Sequence, residues 1–192
     1  MHPVELGNRL EREADLAVYL TEVGPAVPNL YRVQVGGDLP EAETLIELQG
    51  ELAQVLEETA AERGWRLEGP VTVALRKGTG LAKGKVEVIA EVEPAGRAPW
   101  AVLEPSEEGT TIEVQRNRSL LGRSVDVDCR LPDDSVSRRH ALLWQEAGST
   151  WVTDLGSSNG TFVNGTRITG ATEVEDGSMV AFGTDTYVLR LP

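Results

Sequence analysis

Residues 119–165 read SLLGRSVDVDCRLPDDSVSRRHALLWQEAGSTWVTDLGSSNGTFVNG. Short runs of alternating apolar residues, such as 141–145 and 151–155, are separated by loops rich in Gly, Ser, Asn and Asp. The same pattern continues to the end of the chain, with no helical periodicity. Asn-Gly pairs at 159–160 and 164–165 are strong signals for tight hairpin turns. Many short strands at regular spacing predict a β-sandwich in this half of the chain.

The first half of the chain mixes helix and strand signals. One apolar stripe at helical spacing lies near the start, and a longer one follows Asp38, which we expect to cap that helix with Pro40 near its first turn. The predicted elements are, in order, a helix over 3–18, a strand over 31–35, a long helix between Asp38 and Gly64, and strands over 71–75 and 86–92. This order of helix, strand, helix, strand, strand predicts a small α+β domain.

These patterns divide the chain into three segments. Residues 1–93 are predicted to form the α+β domain, and residues 110–192 the all-β domain. The stretch between them, 94–109, is rich in prolines, glycines and glutamates and is predicted to be a linker. A length of 192 residues is sufficient for two such domains.

Composition excludes several classes of function. The chain has 18 Lys and Arg against 31 Asp and Glu, a net charge of −13, which disfavours a general nucleic-acid-binding surface. One cysteine, Cys129, and two histidines, His2 and His140, are too few for a metal site built on Cys or His, and we expect no cofactor. The sequence contains neither a signal peptide nor a membrane-spanning stretch, so it predicts a cytoplasmic protein.

One motif could suggest an enzyme. Residues 156–160 match G-x-S-x-G, which would make Ser158 the nucleophile of a serine hydrolase. That motif requires a helix after the serine and a catalytic histidine later in the chain. Here a strand-like run follows Ser158, and both histidines precede it. The sequence therefore predicts a protein that is not an enzyme.

The loop over residues 77–85 offers the N-terminal half a separate function. It contains all three lysines of the chain, and its Lys-Gly-Thr-Gly start is similar to the basic GXXG loop of KH-type RNA-binding domains. Against RNA binding, the loop joins two predicted strands rather than two helices, and residues 1–100 carry 10 basic and 17 acidic side chains. A surface for oligomerisation or partner docking is the preferred alternative, and a basic hairpin without any ligand is a third.

The loops of the β-rich half contain groups suited to binding a phosphate ester. A phosphate monoester carries about −1.5 to −2 charges and three acceptor oxygens. Its site therefore needs a guanidinium, hydroxyl and amide donors, and no carboxylate nearby. Five residues in three loops supply these groups if the loops converge: Arg123, Ser137, Arg138, Ser158 and Asn159. Ser, Asn and Gly are also common turn formers, so residue types alone leave a purely structural role open.

The order and spacing of these residues resemble the forkhead-associated (FHA) domain. Gly122-Arg123, then Ser137-x-x-His140, and then the run from Ser157 to Gly165 follow the pattern of that family. The resemblance covers about residues 110–191. FHA domains are β-sandwiches that recognise phosphothreonine peptides, so the resemblance implies this fold and this ligand.

The resemblance also implies roles for individual residues. Arg123 and Ser137 would contact the phosphate, and Arg138 would add charge or peptide contacts. Ser158 would donate to the phosphate, and Asn159 would bind the peptide backbone. A second group would be architectural, with the histidine joining two loops through hydrogen bonds and the glycines supplying turns: Gly122, His140, Gly160, Asn164 and Gly165.

Residues 3–92 resemble the N-terminal domain of bacterial FhaA-type proteins, which precedes an FHA domain in the same order. The resemblance rests on the segments 3–10, 27–33 and 69–73. It implies a non-catalytic adaptor in bacterial Ser/Thr-kinase signalling, whose partners are a Thr-phosphorylated protein or peptide and a Ser/Thr kinase or pseudokinase. The alternative is an FHA-fold scaffold without phosphate dependence, acting through an oligomerising or nucleic-acid-binding N-terminal domain.

Overall fold

The computed structural model describes residues 3–192, so His2 lies outside the described residues. The chain divides into two compact units. The first contains most of the chain up to Gly96, and the second contains Arg97–Pro192 with two short segments, Glu22–Gly24 and Ala61–Gly64. Within residues 3–192, no helix is long and apolar enough to cross a membrane.

Residues 3–96 contain two helices and five strands. The elements are α1 (Pro3–Leu16), β1 (Tyr19–Thr21), β2 (Gly24–Ala26), β3 (Leu30–Val35), α2 (Ala42–Glu62), β4 (Thr72–Lys77) and β5 (Val86–Glu91). Strand β3 lies in the centre of a three-stranded sheet, parallel to β4 and antiparallel to β5. Leu10 of α1, Leu56 of α2 and Tyr31 of β3 belong to one buried core. The predicted α+β class is confirmed.

Two details of this half differ from the sequence prediction. The short strands β1 and β2 were not predicted, and they pair with each other in a separate sheet. Helix α2 begins at Ala42 rather than at Asp38. The reason is local, because the ring of Pro40 disfavours helical backbone at the residue before it. Asp38 instead accepts a hydrogen bond of 2.7 Å from Lys77 Nζ.

The C-terminal half is a sandwich of two sheets. Its strands are β6 (Ala101–Pro105), β7 (Ile112–Val114), β8 (Ser119–Gly122), β9 (Cys129–Arg130), β10 (Ala141–Glu146), β11 (Ser149–Asp154), β12 (Thr161–Val163), β13 (Thr166–Arg167), β14 (Thr172–Val174), β15 (Met179–Phe182) and β16 (Asp185–Arg190). One sheet has the order β14-β11-β10-β8-β9, and the other has the order β13-β12-β15-β16-β6-β7. Leu143 and Val152 of the first sheet share a buried core with Val180 and Leu189 of the second. The predicted β-sandwich is confirmed.

The linker prediction over 94–109 needs a correction. Residues 101–105 form β6, which pairs with β16 from Val102↔Arg190 to Pro105↔Tyr187. Ala101 and Leu103 are almost completely buried in the sandwich core. The partner strand lies more than 80 residues further along the chain, so the local sequence does not indicate the pairing. Pro105 at the end of β6 also disfavours a strand prediction for this segment.

Only one of the two Asn-Gly pairs makes the predicted hairpin. Asn164 (φ 48°) and Gly165 (φ 80°) join β12 to β13, and positive φ at both positions is the signature of a type I′ turn. Asn159 and Gly160 lie instead in the loop from β11 to β12, which belong to different sheets. The turn signal there marks a change of sheet rather than a hairpin.

Candidate functional site

The five predicted binding residues line one cavity at the end of the sandwich. The cavity has a volume of about 470 Å³ and lies among the loops that follow β8, β9 and β11. Its lining residues are Arg123, Asp134, Ser135, Val136, Ser137, Arg138, Arg139, Ser158 and Asn159. We call it the arginine cavity, because three of its lining residues are arginines.

Close backbone packing fixes the position of Arg123 at the end of β8. The Arg123 N–H donates to the Ser137 carbonyl (3.0 Å), and the Ser124 N–H donates to the Arg138 carbonyl (3.1 Å). A Cβ atom on Gly122 would lie 2.3 Å from the Arg138 carbonyl oxygen. A residue without a side chain is therefore required for the two segments to approach this closely.

The Arg123 side chain is held at its root and half-exposed at its tip. Its Nε donates to the Val136 carbonyl at 3.3 Å, and the side chain is 44% exposed. Nη1 lies 3.7 Å from Asp134 Oδ1. Asp134 contradicts the prediction that no carboxylate lies near the phosphate-binding groups. Arg139 Nη1 is paired with Glu22 Oε2 at 2.8 Å. The residues that line the cavity, three arginines and one aspartate, are themselves net positive in a chain of net charge −13.

Hydrogen bonds between two loops bring Ser137, Ser158 and Asn159 together. The Ser158 N–H donates to Ser137 Oγ (3.0 Å), so the Ser137 hydroxyl acts as an acceptor here and can donate its own hydrogen elsewhere. Asn159 Nδ2 donates to the Ser135 carbonyl at 2.7 Å. Ser158, Asn159 and Arg138 are exposed. The loops thus present hydroxyl, amide and guanidinium groups to solvent at the same place.

His140 lies beneath these loops and has no solvent exposure. Its Nδ1 accepts from the Ser137 N–H (3.0 Å), and its Nε2 lies 3.1 Å from the Gly160 carbonyl. These partners define the neutral form with its hydrogen on Nε2. Burial lowers the pKa of His140 below its usual value, against the opposing effects of the Gly160 carbonyl and of the Asp154 carboxylate. Both ring nitrogens are engaged with backbone groups, so His140 is no base for Ser158.

Asp154, which was not predicted from the sequence, organises the loop after β11. Its Oδ1 accepts from the N–H groups of Gly156 and Ser157 (both 2.9 Å), and its Oδ2 accepts from the hydroxyls of Ser157 (2.6 Å) and Thr161 (2.7 Å). Burial raises the pKa of Asp154, but these hydrogen bonds together outweigh it and hold the pKa below its usual value. Asp154 precedes Gly156 by two residues and Ser157 by three. An Asp at this distance before a Gly-Ser pair is a known turn signal that could have identified Asp154.

Ser135 is a second residue of the site that was not predicted from the sequence. Its Oγ accepts from Thr184 N–H (3.0 Å) and from the Thr184 hydroxyl (2.9 Å), which fixes the loop before His140 to the turn between β15 and β16. Asn164 and Gly165, by contrast, do not line the arginine cavity. Asn164 exchanges hydrogen bonds with the Met179 backbone at 2.8 and 2.9 Å, a structural contact.

Comparison with known proteins identifies both halves of the chain. The family described as "FhaA, N-terminal domain" matches residues 1–89, and the FHA domain family matches residues 120–183. FHA domain-containing protein FhaB of Mycolicibacterium smegmatis is 37% identical over 89 residues, which are 46% of this chain and 57% of FhaB. FhaA of Mycobacterium tuberculosis is 31% identical over 83 residues, which are 43% of this chain and 16% of FhaA. The chain thus spans little more than half of FhaB and a small part of FhaA.

A solved structure is similar to the C-terminal half. The crystal structure of the FhaA FHA domain, complexed with the intracellular domain of Rv3910, is 30% identical and has a TM-score of 0.43. The match covers 47% of this chain and 99% of that chain. With a domain family assigned to each half, the chain is an FHA-domain protein in which an FhaA N-terminal domain precedes the FHA domain.

Proposed function

We propose that this protein binds phosphothreonine peptides in the arginine cavity and acts as a non-catalytic adaptor in bacterial Ser/Thr-kinase signalling. The observation that carries the proposal is the convergence of guanidinium, hydroxyl and amide groups from three loops on one cavity of about 470 Å³. A phosphate ester of about two negative charges has the acceptors that match these donors, whereas an unmodified threonine has neither the charge nor the oxygens.

Each of the five residues has a part in this proposal. Arg123 and Ser137 contact the phosphate, because the guanidinium tip is half-exposed and the Ser137 hydroxyl has a hydrogen to donate. Ser158 adds a second hydroxyl donor. Arg138 supplies further charge, and Asn159 binds the peptide backbone.

Preorganisation supports the same proposal. The neutral His140 ring joins the backbone of Ser137 to that of Gly160. The loop that contains Ser137 and the loop that contains Gly160 are therefore held together in the absence of a ligand. Donors that are already fixed in place lose little conformational entropy on binding, which favours affinity.

The domain order supports the role of an adaptor. The chain combines an FhaA N-terminal domain with an FHA domain. The FHA domain would bind a phosphorylated protein. The FhaA FHA domain has been solved with the intracellular domain of Rv3910, a precedent for a protein partner. We infer that the partner here is a Thr-phosphorylated protein, or the Ser/Thr kinase or pseudokinase itself, in the cytoplasm.

A binding titration of the full chain tests the proposal. Fluorescence anisotropy would compare phosphothreonine, phosphoserine and unmodified threonine peptides in a library of flanking sequences. Losing a charge-assisted hydrogen bond costs about 1.5–3 kcal/mol, so Arg123→Ala should weaken binding by roughly 10- to 100-fold. Arg190→Ala is the matched control, since that side chain is similarly exposed (49%) and pairs with Glu104 on strand β6.

The outcomes are distinct. Phosphate-dependent binding that Arg123→Ala weakens and Arg190→Ala leaves intact supports the proposal. Equal affinity for phosphorylated and unmodified peptides, or an Arg123→Ala protein that binds like wild type, overturns it. Equal affinity for phosphorylated and unmodified peptides would favour an FHA-fold scaffold that acts without phosphate, whereas an unaffected Arg123→Ala protein would refute the role of Arg123.

A further inference from the structure

A second cavity of the FHA domain adjoins the arginine cavity. It has a volume of about 790 Å³ and lies among the loop from β6 to β7, the segment 130–133 and the turn between β15 and β16. We call it the acidic cleft, after its four carboxylate-bearing residues: Glu107, Glu108, Asp133 and Asp185.

The two cavities are immediate neighbours along the surface. Asp134 lines the arginine cavity and the preceding residue, Asp133, lines the acidic cleft. Ser135 on one side is hydrogen-bonded to Thr184 on the other. An extended peptide advances about 3.3 Å per residue, so a chain with its phosphothreonine in the first cavity reaches the second within a few residues.

Charge distinguishes the two cavities. The acidic cleft has four carboxylates and a single guanidinium, that of Arg130, whereas the arginine cavity has three guanidiniums and one carboxylate. Burial raises the pKa of Asp185, and the nearby Asp133 carboxylate raises it further. A cation placed between these carboxylates would relieve their mutual repulsion.

The walls of the cleft match a long basic side chain. Pro105, Pro132 and Met179 line it together with the carboxylates. A lysine or arginine can lay its aliphatic stem along such apolar atoms while its charged end remains at the carboxylates. An acidic side chain in the same place would face like charges on several sides.

We propose that the acidic cleft binds a lysine or arginine side chain of the same peptide whose phosphothreonine occupies the arginine cavity. The inference rests on the proposed function and deepens it, because it assigns the ligand class as phosphothreonine peptides that carry a basic residue a few positions from the phosphate. The phosphate then binds in the arginine cavity and the basic side chain binds in the acidic cleft, so two adjoining cavities of opposite charge recognise one peptide.

A lysine scan tests this inference with the full chain. Phosphothreonine peptides with an alanine background would carry one lysine at each position from four residues before to four residues after the phosphothreonine. Norleucine at the same positions supplies the stem without the charge. At one position, or two adjacent ones, lysine should bind about fivefold or more tightly than norleucine at low salt, an advantage that salt reduces.

Variants of the cleft locate the effect. The double variant Glu107→Gln with Glu108→Gln, and separately Asp185→Asn, should each reduce the lysine advantage while affinity for the all-alanine phosphopeptide stays near that of wild type. Glu173→Gln is the matched control, because that exposed carboxylate does not line the cleft and lies on β14, at the opposite edge of its sheet from β9.

Equal binding of lysine and norleucine peptides at every position, together with phosphate-dependent binding that Arg123→Ala abolishes, overturns the inference and leaves the proposed function standing. A lysine advantage that persists in all the cleft variants also overturns it. If no peptide binds through its phosphate, the proposed function and this inference fail together.

Discussion

Replacing His140 with alanine removes the link between the two loops that carry Ser137 and Gly160. The ring is completely buried, makes hydrogen bonds of 3.0 and 3.1 Å with those two residues and packs edge-on against Phe182 at 5.7 Å between centroids. Two hydrogen bonds contribute about 1 kcal/mol each, and the cavity left in a packed interior adds roughly 1–3 kcal/mol. The expected loss in the free energy of unfolding is about 3–5 kcal/mol.

The same variant should change how the stability of the FHA domain depends on pH. Burial holds the pKa of folded His140 below its usual value of 6.5. As the pH falls below 6.5, the unfolded chain takes up a proton that the folded chain excludes, so stability is lost from 6.5 down to the lowered pKa of the folded state. His140→Ala has no such group, and its stability should decline less over that range.

Urea unfolding at several pH values measures the free energy of unfolding. Amide hydrogen exchange in β10 and β11, measured at the same pH values, reports on the FHA domain separately from the N-terminal half. His140→Asn is an informative companion, because its side-chain oxygen can accept from the Ser137 N–H while the contact with Gly160 is lost. It should be destabilised less than the alanine variant. A loss below about 1 kcal/mol for His140→Ala, with an unchanged pH dependence, would refute this account of the histidine.

Two further substitutions test the arginine cavity. Asp134→Asn removes the carboxylate that lies 3.7 Å from Arg123 Nη1. Phosphopeptide affinity, measured by anisotropy, should therefore rise by roughly two- to fivefold at low salt. Unchanged or weaker affinity would show that Asp134 does not compete with the phosphate. Gly122→Ala places a Cβ atom 2.3 Å from the Arg138 carbonyl, so phosphopeptide affinity should fall at least tenfold and the melting temperature should drop. Gly170→Ala, with no atom within 4 Å of the added carbon, is its control, and equal behaviour of the two glycine variants would contradict the close packing at β8.

The features that sequence predicts well are those set by neighbours along the chain. Alternating runs and turn residues predict the strands of the sandwich, and the Asn164-Gly165 turn follows directly from its preference for positive φ. The order of the loop residues from Gly122 to Gly165 suffices to predict the FHA fold. The five candidate binding residues also lie around one cavity, although their roles stay predictions.

The features that sequence misses depend on distant partners. The sequence of β6 is typical of a linker, and only its pairing with β16 makes it a strand. The Asn159-Gly160 pair forms no hairpin, because β11 and β12 belong to different sheets. The spacing from Asp154 to Gly156 and Ser157 is a turn signal, but no local pattern indicates that Asp154 also accepts a hydrogen bond from Thr161 on β12. The carboxylate of Asp134 enters the cavity through loop geometry that no local pattern encodes.

The most direct test of phosphopeptide binding is a map of backbone amide chemical shifts in the ¹⁵N-labelled full chain. It would be recorded with a phosphothreonine peptide and with its unmodified counterpart at equal concentration. We expect phosphate-dependent shifts concentrated in the three loops of the arginine cavity, residues 122–124, 134–140 and 156–160. Identical shifts with both peptides, or phosphate-dependent shifts confined to residues before Arg97, would contradict it.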